Sequence, residues 1–235
     1  MIPKIIHYCW LSGGEMPAEF QRYLEGWRRL MPDYEFRLWD MEAMSQCDSK
    51  FFRAAVASGK YAFASDYVRI YALYKFGGIY LDCDVEVLKS FDELLPLPYF
   101  ICREETKHGI EAAVIGAGKG CRWIGDCLDF YNRRESVSCE VMPSVLKRVL
   151  LGRGYQFKEI AAPDEFSFKP GEINLLSSEY FSPKSYVTNE IRITANTFCV
   201  HHFSGSWQPR WKKLLLKFWV PFSYRYPAIA RMLKR

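Results

Sequence analysis

Two carboxylates, Asp82 and Asp84, sit near the end of the stretch KFGGIYLDCDVEVL at residues 75–88. A glycine pair and the apolar run Ile79-Tyr80-Leu81 lead into them, so a strand-like segment ends by gathering negative charge. On an extended chain, residues two apart project to one side, about 6.5–7 Å from each other. Both carboxylates therefore aim at one volume while Cys83 points away. Like charges held so close are costly unless a cation or hydrogen-bond donors balance them. A hard divalent ion, Mn²⁺ or Mg²⁺, takes oxygen ligands and completes its shell with phosphates and water. Taken alone, the DxD also reads as a solvated surface turn.

A second pair lies one predicted helix upstream. Asp66 and Arg69, three residues apart, share a helix face. The plain reading is a surface ion pair of little energetic value. The functional reading gives Asp66 sugar hydroxyls to accept from and Arg69 a phosphate to neutralise. No residue stands out as a covalent nucleophile. Glu104, Glu105 and Glu111 follow the fourth candidate strand and could line an acceptor side, but nothing ranks them.

These residues need elements to hold them. Lys4 to Trp10 reads as a first strand, followed by the loop signal Ser12-Gly13-Gly14. Pro17 suits a first helical turn, and Phe20, Leu24, Trp27 and Met31 continue at helical spacing. Tyr34 to Trp39 gives a second strand, and strand-helix-strand implies parallel neighbours. A short helix is expected over 41–58 and a longer one over 61–76, stopped by Gly77-Gly78. The third strand then runs into Asp82, at the sheet edge where open α/β folds bind ligands. Tyr99 to Arg103 and Glu111 to Ile115 read as strands, with Gly116 to Gly120 a loop. Trp123 to Tyr131 and Val141 to Leu151 read as helices, Phe166 to Leu176 as loop and strand, and Thr197 to Phe203 as a last strand. The fold class is α/β, a Rossmann-type nucleotide-binding sheet with flanking helices and a helical, basic-aromatic C-terminal tail. One domain spans 1–208 and the tail 209–235.

Composition narrows the class. Apolar residues make up 49% of the 235, enough for a substantial core and too many for global disorder. No segment approaches the roughly 20 apolar residues of a membrane span, and the N-terminus lacks a signal-peptide pattern. The eight cysteines form no CxxC pair and no zinc spacing, so free thiols in a reducing, cytoplasmic setting are expected. From Phe203 onward there is no acidic residue but eight basic ones, and the remainder of the chain is net acidic. With Trp211, Phe218, Trp219 and Phe222 among them, these residues suit an anionic membrane surface at the cytoplasmic face. A helix packed on the domain fits the same residues. Nucleic acid does not, because the charges follow no reading element.

Three motifs, IPKIIHYCW, YAFASDYVRIYALYKFGGIYLDCDV and HHFSGSW, together resemble the DxD-containing family 32 glycosyltransferases. That family includes capsular and exopolysaccharide sugar transferases and fungal Golgi mannosyltransferases, and it shares its fold with the large glucosylating toxins. The resemblance implies a GT-A fold, a nucleotide-sugar donor, a divalent cation and retention of anomeric configuration. It implies that Trp10 stacks on the donor base and that Asp66 and Arg69 hold the donor sugar and its phosphate. Asp84 matches the direct metal ligand, and Asp82 its partner. Ser206 and Trp207 match an element that closes over the diphosphate. His201 matches a metal-ligating histidine; His202 beside it and Ser204 beside Ser206 stay open as alternatives. Trp207 also reads from its own chemistry as an indole donor to phosphate or a lid, or as a core residue.

The expected activity is transfer of a hexose, UDP-linked by preference, to a glycan or lipid-linked acceptor in polysaccharide biosynthesis. A metal-dependent phosphohydrolase or nucleotidyltransferase is the alternative enzyme. Against it, the DxD follows the third strand rather than the first, and LSGGEMP lacks a basic residue. A non-catalytic sugar-binding descendant is the remaining class.

Overall fold

The computed structural model describes residues 1–104, 109–137, 140–185 and 188–205, together with Trp219, Arg225 and Tyr226. Ser206, Trp207, Glu105 and nearly all of the 209–235 tail lie outside the described residues.

The centre is a five-stranded mixed sheet. Its strands are β1 (Ile5–Cys9), β2 (Glu35–Trp39), β3 (Gly78–Leu81), β5 (Tyr99–Phe100) and β6 (Val114–Ala117), in the order β2-β1-β3-β6-β5. Strands β2, β1 and β3 are parallel, as the strand-helix-strand reading requires, whereas β6 runs antiparallel to β3 and β5 to β6. A short strand β4 (Val85–Val87) pairs antiparallel with β9 (Cys199–His201). Strands β7 (Gln156–Ile160) and β8 (Glu172–Leu176) form a parallel pair, joined to the chain after β5 through the Cys102–Leu176 bridge.

Side chains alternate across the sheet. On one face Tyr80 and Ile115 pack with helices α2 (Lys50–Ala57), α3 (Tyr61–Phe76), α4 (Arg122–Asn132) and α5 (Met142–Gly152). On the other face Ile6, Tyr8, Ile79 and Leu81 pack with α1 (Ala18–Leu30), the β4–β9 pair and Phe198. Helix α3 is buried along much of its length, Asp66 and Arg69 included.

A turn closes α3 tightly enough to reverse into β3. Gly77 and Gly78 both take positive φ, 68° and 107°. A Cβ on Gly78 would meet the Ile5 carbonyl oxygen at 2.6 Å, so a side chain there is blocked by space as well as by φ. His7 locks this turn from β1. Its Nδ1 accepts from Trp39 Nε1–H at 3.1 Å, which leaves Nε2–H to donate to the Gly77 carbonyl at 2.8 Å. Burial pushes this imidazole down to about 4, partly offset by the Gly77 contact.

Three expectations need correcting. The 41–58 helix begins only at Lys50, where Ser49 caps it by accepting from the Phe52 N–H. The strand expected over Glu111 to Ile115 is displaced to Val114–Ala117, because Gly116 lets the Phe100 ring lie directly against the backbone. Finally, Asp82 to Asp84 is not extended. The Val85 N–H closes on the Asp82 carbonyl at 3.1 Å, a turn that carries the chain from the main sheet into β4. All seven described cysteines are free thiols. Among the described residues no helix is long and apolar enough to cross a membrane.

Candidate functional site

The turn at the end of β3 brings Asp82 and Asp84 together by curvature rather than by strand pleat. Both meet His201, at the end of β9, so that one ligand atom from each lies within 4.8 Å of the others. His201 lies more than a hundred positions after the two aspartates and is brought to them by the β4–β9 ladder, in which Val85 pairs with His201.

That ladder also separates the two histidines, since neighbouring side chains on an extended chain take opposite sides. His201 places Nε2 3.6 Å from Asp84 Oδ1 and Nδ1 3.1 Å from Glu111 Oε2. His202 turns away, meeting Glu86 Oε2 at 2.9 Å and stacking on Tyr23 at 5.2 Å between ring centroids. The backbone past the strand closes onto the turn as well. The His202 N–H donates to the Asp84 carbonyl at 3.1 Å, and the Ser204 N–H to Asp84 Oδ2 at 2.8 Å.

Helix α3 supplies the other wall. Arg69 is 4% exposed; its Nη1 donates to the Ala112 carbonyl at 2.7 Å and its Nη2 to Asp82 Oδ1 at 2.8 Å. Its guanidinium carbon lies 4.6 Å from the Tyr80 ring centroid, and Asp66 Oδ1 lies 3.8 Å from Nη2. The surface ion pair read from i,i+3 spacing is therefore a buried one. Each terminal nitrogen holds one protein oxygen, which fixes the plane of the guanidinium, while Nε–H has no hydrogen-bond partner among the described residues. Its place in the structure is behind Asp82.

Charges do not balance in this volume. Among the described residues, the positive charges that act most strongly on Asp66, Asp82, Asp84 and Glu111 are Arg69 and His201. Burial pushes Asp66 up to about 7; Arg69 pulls it back in part and Asp82 adds to the rise. Burial also raises Asp82, against the pull of Arg69. For Asp84 the burial effect is outweighed by His201 and the Ser204 N–H, which hold it well below the usual carboxylate range. Burial alone would lower His201, but the Glu111 and Asp84 carboxylates raise it well above an ordinary imidazole. Two converging carboxylates, one imidazole and a surplus of buried acid fit a divalent cation.

Trp10 follows β1 and is half-buried. Its Nε1–H is spent on the Gly14 carbonyl at 2.7 Å and its ring meets Phe20 edge-on. Glu111 does not line an open acceptor side. It is 2% exposed and bound to His201 and the Ala113 N–H, because the chain folds inward just before β6. Sequence reasoning missed this contact and the Tyr23–His202–Glu86 cluster, since all three pairings are long-range and follow no local pattern.

Comparison with known proteins places these elements in context. Residues 17–101 match the family described as glycosyltransferase sugar-binding region containing DXD motif. Inositol phosphoceramide mannosyltransferase 3 of Schizosaccharomyces pombe is 38% identical over 123 residues, 51% of this chain and 34% of that protein. Mannosyl phosphorylinositol ceramide synthase CSH1 of Saccharomyces cerevisiae is 31% identical over 122 residues, 50% of this chain and 32% of that protein. The chain spans about a third of the length of these two relatives. Among solved structures, the PaToxG glycosyltransferase superposes with a TM-score of 0.54 at 19% identity, covering 65% of this chain and 70% of that one. The fold is that of the GT-A glycosyltransferases.

Proposed function

We propose that the chain is a divalent-metal-dependent, retaining glycosyltransferase. It moves a hexose from a nucleotide-sugar, UDP-linked by preference, to a hydroxyl of a glycan or lipid-linked acceptor. The observation that carries this reading is the convergence of Asp82, Asp84 and His201 at the end of β3, backed by buried Arg69 and Asp66. The DXD family match over residues 17–101 supports the reaction class. The names of the two fungal relatives favour a mannosyl-type hexose and a phosphoinositol-bearing lipid acceptor over a capsular polysaccharide.

In this reading Asp82, Asp84 and His201 hold Mn²⁺ or Mg²⁺. When bound, the cation offsets the negative charge that develops on the departing nucleoside diphosphate. Arg69 fixes Asp82 in position and contributes its charge at short range from behind. Asp66 accepts hydrogen bonds from donor-sugar hydroxyls. Trp10 offers the ring that stacks on the base. Ser206 and Trp207 complete the site by closing over the diphosphate and keeping water out. The catalytic unit is residues 1–208, and the basic-aromatic residues 209–235 bring it to an anionic membrane surface on the cytoplasmic side.

The test is a donor-hydrolysis screen over UDP- and GDP-hexoses with and without Mn²⁺. Release of the nucleotide from one donor, dependent on metal and lost in Asp84→Asn, is expected. Full activity in a chelator, or equal release from the variant, overturns the reading. Anionic liposome flotation of the full chain and of a 209–235 deletion tests the membrane assignment; equal binding refutes it.

A further inference from the structure

Residues Glu111 to Ala113, just before β6, touch both walls of the site through three consecutive residues. The Ala113 carbonyl accepts the Asp82 N–H at 2.9 Å, and the Ala112 carbonyl accepts Arg69 Nη1–H at 2.7 Å. Glu111 serves the third contact. Its Oε1 accepts the Ala113 N–H at 2.7 Å, and its Oε2 lies 3.1 Å from His201 Nδ1. The carboxylate is 2% exposed, so protein groups rather than water satisfy it.

An ionised carboxylate accepts and cannot donate, so His201 Nδ1 must carry a proton in this contact. The other ring nitrogen, Nε2, is the one that faces Asp84 Oδ1 at 3.6 Å. We propose that Glu111 is the positioning residue for His201, fixing the Nδ1–H tautomer so that the Nε2 lone pair is presented toward Asp82 and Asp84. The inference rests on the metal-dependent reading given above. A histidine whose second nitrogen is held by a carboxylate is both better aimed and more basic as a ligand.

Gln at position 111 preserves shape but reverses this logic. With its oxygen kept on the Ala113 N–H, its amide donates to Nδ1 and forces the proton onto Nε2. Flipped, it sets N–H against the Ala113 N–H instead. The experiment measures Mn²⁺ affinity of the full chain by electron paramagnetic resonance for the wild type, Asp84→Asn and Glu111→Gln. Alongside it, ¹⁵N-histidine NMR reads the His201 tautomer in the Mg²⁺-loaded wild type and in Glu111→Gln.

The expected result is Mn²⁺ binding weakened about 10- to 100-fold in Glu111→Gln, with Nδ1–H in the wild type and Nε2–H in the variant. Equal affinity and an unchanged tautomer in a wild type that does bind Mn²⁺ would overturn the role of Glu111 and leave the metal site standing. No Mn²⁺ binding by the wild type would remove the metal reading, and this inference with it. If Glu111→Gln does not fold, the wild-type spectrum decides: Nδ1–H supports the assignment and Nε2–H refutes it.

Discussion

Arg69 and Asp82 meet across 2.8 Å from different elements, a guanidinium on the buried side of α3 and a carboxylate at the end of β3. Each limits what the other can do. Asp82 keeps a carboxylate geometry it could not hold alone beside Asp84, and Arg69 gives up its freedom to follow a ligand.

Arg69→Met is expected to destabilise the chain by about 3 kcal/mol, because it leaves buried Asp66 and part-buried Asp82 without their cation. Arg69→Lys keeps a charge but cannot serve both Asp82 and the Ala112 carbonyl, and should recover only part of this. Urea unfolding checks both; a midpoint for Arg69→Met within error of the wild type would show that the pair is energetically idle.

The adjacent histidines should separate cleanly. His201→Asn is expected to weaken Mn²⁺ binding by at least about tenfold. His202→Asn, whose ring is engaged with Glu86 and Tyr23, should leave Mn²⁺ affinity unchanged. Titration calorimetry on the two variants gives the answer, and the reverse ranking would reassign the ligand.

Asp66 carries a stability cost that depends on pH. Its folded pKa stands near 7 against an ordinary 3.8, so between these values the folded chain holds a proton the unfolded chain has released. Stability therefore falls as pH rises through that window, by about 1.4 kcal/mol per unit at most, and the cost is complete above pH 7. In the metal-free chain Asp66→Asn should gain stability over the wild type near pH 8 and much less near pH 5. A gain independent of pH would mean that Asp66 is not the titrating group.

His7 works in the opposite direction. Its folded pKa of about 4 lies below the ordinary 6.5, so its neutral form stabilises the fold fully above pH 6.5. That contribution is lost as pH falls toward 4. The margin by which the wild type exceeds His7→Gln in unfolding free energy should shrink by about 2 kcal/mol between pH 7.5 and pH 5. A constant margin would show that burial does not depress this imidazole.

What the sequence made legible was local. Helix α3 appears with the bounds 61–76 that its apolar spacing and terminal glycines demand, and β1 and β2 pair in parallel as their connecting helix dictates. Its Asp66–Arg69 spacing and the DxD also stand out as patterns within a few residues. The rest depended on long-range pairing. Strand β4 is three residues long and exists because β9 is there to receive it. The choice between His201 and His202 follows from that register, which no periodicity announces. Glu111 reads as one acid among several until β6 carries it to within 3.1 Å of a residue ninety positions away.

The ladder between Val85–Val87 and Cys199–His201 has a consequence for how the protein is made. As the chain leaves the ribosome, the DxD turn emerges long before its partners, and Asp84 waits for Ser204, 120 residues later. Until then the segment of β4 has no partner strand, and two acids sit side by side without the imidazole that answers them. The site is thus among the last parts of the molecule to come into being. A chain broken off before Cys199 would retain the complete DxD motif and yet lack His201 and Ser204, and so have no site.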